Sequence, residues 1–177
     1  MHAELWCSVD STHMNPPAQD GFSSDLPGIG ALHIDVPAEV LLTGRHFRVQ
    51  GEVLLTDVTS DGGGFACIPG FHKVAAEWAR DRPDSLPLNT NTLELHPELV
   101  AAGFTLETPP GKAGDLLIWD YFLPHSNSPN RSTVPRMVQI VTMFPVEAHT
   151  THKTGTYGGE QVSIEAERAR RVESWRQ

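Results

Sequence analysis

The sequence contains little cysteine, no long apolar run and no signal-like N-terminus. Its two cysteines, Cys7 and Cys67, allow at most one disulfide, and two buried free thiols in a reducing cytoplasm are the simpler expectation. No stretch approaches the roughly 18 apolar residues that a membrane-spanning helix requires. The N-terminus also lacks the charged-then-apolar pattern of a secretory signal. These absences predict a cytoplasmic protein without a membrane span.

Positive charge is also scarce, because 13 lysines and arginines stand against 22 acidic residues and give a formal net charge of -9. The one basic cluster, Arg168, Arg170 and Arg171, alternates with glutamates, which is typical of the solvated face of a helix. A nucleic-acid-binding protein usually carries a basic patch. The sequence therefore argues against nucleic acid as the main partner.

Turn-forming residues, by contrast, are plentiful, with 15 glycines and 14 prolines scattered along the chain. The clearest strand pattern covers residues 47–57, in which apolar side chains fall on one side: Phe47, Val49, Val53 and Leu55. Further strands are predicted for residues 4–9, 30–36, 65–69, 115–119 and 137–144, and helices for 72–81 and 160–177. Short strands joined by turns predict a mainly β protein, either a sandwich or a jelly roll. The 177 residues fit a single domain with a core over residues 5–148.

Two histidines and one aspartate form a candidate metal site. His33 and Asp35 are two residues apart, so on a strand their side chains point to the same face and can converge on one ion. In a chain with nine histidines such a pair also arises by chance, at about even odds. His125 adds weight to the pair, since it follows the apolar strand 115–119 after a short loop. Two imidazoles and one carboxylate suit Fe(II) and leave about three of six octahedral positions open.

Arg136 is the candidate anchor for an anionic co-substrate. It opens the last predicted core strand, 11 positions after His125. A guanidinium in this place could bind a carboxylate through two parallel hydrogen bonds. The alternative for Arg136 is a structural ion pair with Asp115 or Asp120.

The segments GEVLLTDVTSDGGGFACIPGFHK (51–73) and GDLLIWDYFLPHSNSPNRSTVPR (114–136) resemble the phytanoyl-CoA dioxygenase family of Fe(II)/2-oxoglutarate oxygenases. The resemblance extends roughly over residues 5–145 and implies a double-stranded β-helix, the cupin-like form of the jelly roll. It also implies a reaction in which 2-oxoglutarate and dioxygen yield succinate, carbon dioxide and an oxidant that takes hydrogen from a substrate C–H bond.

The resemblance assigns a role to each candidate site residue. His33, Asp35 and His125 correspond to the iron ligands, and Arg136 to the arginine that binds the far carboxylate of 2-oxoglutarate. Related halogenating enzymes lack the carboxylate ligand. Because Asp35 is present, hydroxylation is the reaction that the resemblance implies.

Two asparagines are further candidates for contact with 2-oxoglutarate. Asn127 lies two residues after His125, where many relatives have a serine that helps to hold the co-substrate, and an amide can also hydrogen-bond there. Asn15 lies near a position that lines the co-substrate pocket in relatives. The resemblance therefore implies co-substrate binding by Arg136, Asn127 and Asn15.

The chain has 32 residues before His33, fewer than relatives usually have, which predicts a short member of the family. Three functions are compatible with this pattern: an oxygenase acting on a small or lipid-like molecule, a metal- or ligand-binding protein without turnover, and a subunit whose open side is covered by an oligomer or partner chain. The complete ligand set favours the oxygenase over the binding protein, whereas the short N-terminal part favours the partner-dependent subunit. No segment identifies the primary substrate.

Overall fold

The computed structural model describes residues 5–17, 32–36, 38–44, 48–81 and 97–145, together with 169, 172, 173 and 176. Its strands are β1 (Leu5–Asn15), β2 (Val49–Leu54), β3 (Phe65–Cys67), β4 (Leu116–Asp120), β5 (His125–Asn127) and β6 (Arg136–Pro145). Its helices are α1 (Ala38–Thr43), a 3-10 helix (Phe71–Lys73), α2 (Ala75–Asp81) and α3 (Pro97–Ala101).

Two sheets carry the strands. The larger has the order β1-β6-β2-β4, and the smaller pairs β3 with β5. The pairs of defined register are antiparallel, with Gly51 opposite both Ile118 and Val141 in the larger sheet, and Cys67 opposite His125 in the smaller. Sheets built from sequence-distant antiparallel strands, with short helices outside them, confirm the mainly β jelly-roll prediction.

The chain groups into two compact units. Cys7–Met143 forms one unit, which holds both sheets apart from the outer ends of β1 and β6. Met1–Trp6 and Phe144–Gln177 form the other. The single domain inferred from chain length stays a prediction. The C-terminal helix predicted for 160–177 lies mostly outside the described residues, among which 169, 172 and 173 are helical.

Strand β2 lies where the alternation predicted it but buries the opposite side. Its inward side chains are Gln50, Glu52 and Leu54, whereas Val49 and Val53 are only half-buried. The buried face of a strand can hold polar groups only if other polar groups satisfy them. The inward face of β2 is therefore the first sign of a polar site between the sheets.

Two local predictions are corrected by the structure. His125 begins strand β5 instead of lying in a loop. The strand predicted for 30–36 is reduced, within its described part 32–36, to one bridging residue, His33. Both differences arise because a strand exists only where a partner pairs with it, and these partners are distant in sequence.

Three apolar clusters hold the elements around this site. The largest joins the 32–36 segment to the helices and consists of Leu32, Ile34, Val36, Leu41, Ile68, Phe71, Ala75, Ala79, Leu99 and Phe122. A second contains Phe65, Cys67, Trp119 and Leu123. The third contains Leu54, Val58 and Val138. Each large side chain moved fully from water into such a cluster stabilises the fold by roughly 1.5–3 kcal/mol before entropy is counted.

The two thiols differ in environment. Cys67 is buried, Cys7 is exposed, and both are free, so the expectation of buried free thiols holds for Cys67 alone. Burial, with a smaller contribution from the charge of Glu107, raises the pKa of the Cys67 thiol to about 11. Within the described ranges, none of the helices is long and apolar enough to span a membrane.

Gly63 permits a close approach of three chain segments. Its φ is 74°, and a Cβ there would lie 2.5 Å from Nδ2 of Asn15 and 2.6 Å from Cβ of Asn130. The Asn15 amide donates to the Gly63 carbonyl (3.2 Å), and the Asn130 amide donates to the carbonyl of Asn15 (3.0 Å). Hydrogen bonds at the Gly63 turn thus connect the end of β1 with the loop after β5.

We expect Gly63→Ala to lower the free energy of unfolding by about 2–4 kcal/mol, because it combines positive-φ strain with overpacking. Gly103→Ala is the matched control, since Gly103 has a φ of 83° but nothing within 4 Å of its Cβ position. It should cost about 1–2 kcal/mol. Urea unfolding of both variants measures the difference, and equal losses would contradict the close approach at Gly63.

Candidate metal centre

A short backbone pairing joins the two predicted histidine ligands. The amide of His33 donates to the carbonyl of His125 (3.1 Å), and the amide of His125 donates back to that of His33 (3.0 Å). This reciprocal pair places the two imidazole rings 4.6 Å apart between centroids. Ring proximity is thus set by main-chain hydrogen bonds, which do not depend on the presence of a ligand.

The third predicted ligand, Asp35, completes the group. Leu32, Ile34 and Val36 point into the apolar core, so the alternating residues His33 and Asp35 point away from it. Oδ1 of Asp35 lies 3.5 Å from Nε2 of His33, and Oδ2 lies 3.5 Å from Nε2 of His125. Each residue offers one ligand atom, and the three atoms lie within 4.8 Å of one another.

The centre has a buried side and an open side. The His125 side chain is only 9% exposed, whereas those of His33 and Asp35 are 38% and 40% exposed. Phe65 and Trp119 enclose the His125 ring, with centroids 5.7 and 5.1 Å away. A ligand or substrate can therefore approach from the side of His33 and Asp35.

A hydrogen bond fixes which nitrogen of His125 faces the centre. Its Nδ1 lies 2.9 Å from the carbonyl oxygen of Leu123. A carbonyl only accepts, so in this hydrogen bond Nδ1 carries the proton and donates. In the neutral ring this leaves Nε2, which faces Asp35, with its lone pair free for a metal.

Gln50 supports the carboxylate from the inner face of β2. Its Nε2 donates to Oδ2 of Asp35 (2.6 Å), while its Oε1 accepts from Nε1 of the buried Trp119 (3.1 Å). Because indole can only donate, Trp119 sets the orientation of the Gln50 amide and turns its NH2 group towards Asp35. Hydrogen bonds of this kind, from residues that do not themselves bind the metal, orient metal-binding carboxylates.

The charge of Asp35 is stabilised by its surroundings. Burial acts to raise the pKa of Asp35, but it is outweighed by a hydrogen bond from His125 and the charges of the two histidines, which act when the imidazoles are protonated, and by the hydrogen bond from Gln50. The pKa falls from 3.8 to about 2. The carboxyl group is therefore ionised over the whole neutral range, as a metal ligand requires.

Arg136 lies deep in the protein and already has partners. Its guanidinium donates from Nη1 to Oδ1 of Asn127 (2.8 Å) and from Nη2 to Oε2 of Glu52 (2.5 Å). The Arg136 and Glu52 side chains are only 1% and 2% exposed. A structural ion pair does form, as the alternative for Arg136 anticipated, but with Glu52 rather than with Asp115 or Asp120.

The two asparagines occupy different places. Asn127 contacts Arg136, two residues beyond the candidate ligand His125 on the same strand. The buried Asn15 amide donates to the carbonyls of Gly63 (3.2 Å) and Ser128 (3.1 Å) and so links loops. Co-substrate contact by either residue stays a prediction, and the structure adds a structural role for Asn15.

Gln50, Glu52 and Trp119 were missed from the sequence. Gln50 and Glu52 stand among apolar residues in β2, and the period-two pattern identified only the apolar side. The one available signal was the pair of long polar side chains at alternate positions of a central strand. Trp119 ends an apolar run and gave no sign of its hydrogen bond.

A jelly roll that carries two histidines and a carboxylate at one inner site defines a candidate mononuclear metal protein of the cupin-like class. The model of the phytanoyl-CoA dioxygenase family matches residues 27–138, which is more than half of the chain. The chain therefore belongs to the phytanoyl-CoA dioxygenase family, as the resemblance indicated.

Individual relatives match more distantly. A Dictyostelium discoideum protein named after phytanoyl-CoA dioxygenase is 26% identical over 98 residues, 55% of this chain and 27% of its own length. Among solved structures, EvdMO1 has a TM-score of 0.52 at 14% identity and covers 81% of this chain and 28% of its own. AviO1 from Streptomyces viridochromogenes has a TM-score of 0.51 at 15% identity, covering 80% and 52%. These structures share the fold, and the chain spans about a quarter to a half of the relatives it matches.

We expect Gln50→Leu to weaken Fe(II) binding by about 10- to 100-fold, because Asp35 loses the donor that orients it. Anaerobic calorimetric titration of the folded apo-protein measures this. Gln139→Leu is the matched control, since the Gln139 side chain bonds Thr12 and the Ser11 carbonyl on β1. Equal affinity of wild type and both variants would show that Gln50 does not support the centre.

The lowered pKa of Asp35 predicts a pH dependence of stability. The pKa of Asp35 is 3.8 in the unfolded chain and about 2 in the folded protein. The ionised carboxylate therefore stabilises the fold above pH 3.8, and this contribution is lost as the pH falls through about 2. The stability difference between wild-type apo-protein and Asp35→Asn should therefore shrink from pH 5 to about pH 2. Urea unfolding across this range measures it, and a constant difference would exclude a depressed pKa.

Proposed function

We propose that this protein is a non-haem Fe(II)- and 2-oxoglutarate-dependent dioxygenase that hydroxylates a small or lipid-like molecule. The observation that carries the proposal is the convergence of His33, Asp35 and His125 on one point of a phytanoyl-CoA dioxygenase jelly roll. Two imidazole nitrogens and one carboxylate are the donor set that suits ferrous iron in oxygenases.

The described residues fit the metal. Nε2 of His125 is directed inward by the Leu123 carbonyl, and the Asp35 carboxylate is held by Gln50. The chemistry that iron and 2-oxoglutarate supply when bound is the activation of dioxygen for oxidation of a substrate C–H bond. The residues of this chain orient the metal-binding side chains, keep Asp35 ionised and leave the His33 side of the centre accessible to a substrate.

The fit to 2-oxoglutarate depends on Arg136. His125 and Asn127 are two residues apart on β5, which separates their side chains by about 7 Å along the strand. A five-carbon dicarboxylate that chelates the metal could span this distance and reach Arg136, whose buried Nε has no hydrogen-bond partner. The other two guanidinium nitrogens are occupied by Asn127 and Glu52, so Arg136 suits a carboxylate only in part.

A partner-dependent form of the same function is the second candidate. Strand β4 lies at an edge of the larger sheet, and its Leu116 and Ile118 side chains are 48% and 57% exposed. Exposed apolar residues on an edge strand favour contact with another chain. Dependence on an oligomer or partner stays a prediction alongside the self-sufficient enzyme.

Anaerobic addition of Fe(II) and 2-oxoglutarate to the apo-protein should produce the weak visible charge-transfer band of the chelate. We expect the band in wild type and its loss in His125→Ala, because the deepest ligand is removed. His13→Ala is the matched control, since His13 is exposed on β1. A folded wild-type protein that gives no band would contradict a self-sufficient oxygenase and favour the binding or partner-dependent alternatives.

A further inference from the structure

The buried ion pair between Glu52 and Arg136 lies beside the candidate metal centre. On β2, Gln50 contacts the ligand Asp35 and Glu52 contacts Arg136, two residues further along the same face. On β5, the ligand His125 and the Arg136 partner Asn127 are separated in the same way. β2 and β5 therefore carry Gln50 and His125 beside the metal centre, and two residues further along they carry Glu52 and Asn127, the two partners of Arg136.

The charges of Arg136 and Glu52 already balance each other. Arg136 and Glu52 are almost fully buried, and their side chains meet at 2.5 Å. A buried arginine that faces no internal anion needs an external one, and the distal carboxylate of a dicarboxylic 2-oxo acid would supply it. Here Glu52 supplies that carboxylate from within the chain. A second carboxylate would give the buried group a net negative charge, which is costly away from water.

The hydrogen-bonding groups lead to the same conclusion. Nη1 of Arg136 is bound by Asn127 and Nη2 by Glu52, so the incoming carboxylate finds only Nε without a partner. One oxygen of Glu52, Oε1, is also buried without a donor. A carboxylate placed beside it would be repelled, whereas an uncharged side chain would leave the ion pair intact.

We propose that Glu52 is a specificity-determining residue that lowers the affinity of the site for dicarboxylic 2-oxo acids and admits 2-oxo acids with an uncharged side chain. This inference rests on the proposed function, because both kinds of 2-oxo acid must first chelate the metal. The proposed function depends on the end of the co-substrate that chelates the metal, whereas this inference concerns the opposite end.

The test compares 2-oxoglutarate with 2-oxobutyrate, which has the same chelating group and no distal carboxylate. Each is titrated anaerobically into the Fe(II)-loaded full chain, and the charge-transfer band gives the dissociation constant without turnover. In wild type the two constants should lie within about threefold of each other. An arginine free to bind the distal carboxylate would instead favour 2-oxoglutarate by about 10- to 100-fold.

Glu52→Gln removes the competing charge and nearly keeps the shape. We expect it to tighten 2-oxoglutarate binding by about 10- to 100-fold and to change 2-oxobutyrate binding by less than about threefold. Glu77→Gln, on the exposed face of α2, is the matched control and should change neither. In a Glu52→Gln/Arg136→Gln double variant the gain should disappear, because Glu52 acts through Arg136.

The outcomes separate this inference from the function on which it rests. Bands with both acids, together with a wild-type preference of tenfold or more for 2-oxoglutarate, would overturn the role of Glu52 and leave the oxygenase intact. No band with either acid would overturn both. The wild-type comparison needs no substitution, so it decides the matter even if Glu52→Gln does not fold.

Discussion

The reciprocal backbone pairing of His33 with His125 is the constraint on which the site depends. The two histidines are 92 positions apart in the chain, and two main-chain hydrogen bonds of 3.1 and 3.0 Å hold them side by side. Asp35 follows His33 by two residues and therefore reaches the same point. Because the pairing uses only backbone groups, it places the two histidines together independently of a bound metal, which reduces the ordering cost of binding.

The polar inner face of β2 shows how the fold tolerates charge in its interior. Gln50 and Glu52 point inward in a position where a jelly roll usually buries apolar side chains. Each is satisfied by a specific partner, Gln50 by Trp119 and Asp35, and Glu52 by Arg136. Networks of this kind add little net stability but are costly when one member is removed. They therefore fix the positions of the groups around the centre, which is what an ordered metal site requires.

Much of the site could be predicted because its chemistry is local in sequence. The His33-x-Asp35 spacing, the apolar run before His125 and the distance to Arg136 were visible without a structure, and the three candidate ligands they indicated do lie together. The strand containing Gln50 and Glu52 was also located. The side of this strand that is buried was not predicted. Alternation alone does not say which face meets the second sheet when the interior holds a polar site.

The sequence by itself determined the residue types that can bind a metal, most of the core strands and the family to which the chain belongs. Only the tertiary structure decided which groups surround those ligands: Trp119 orients Gln50, the Leu123 carbonyl orients His125, and Glu52 pairs with Arg136. The reason is physical. A ligand motif depends on spacing within one segment, whereas a hydrogen bond between Trp119 and Gln50, or an ion pair between β2 and β6, depends on the register of strands far apart in the chain.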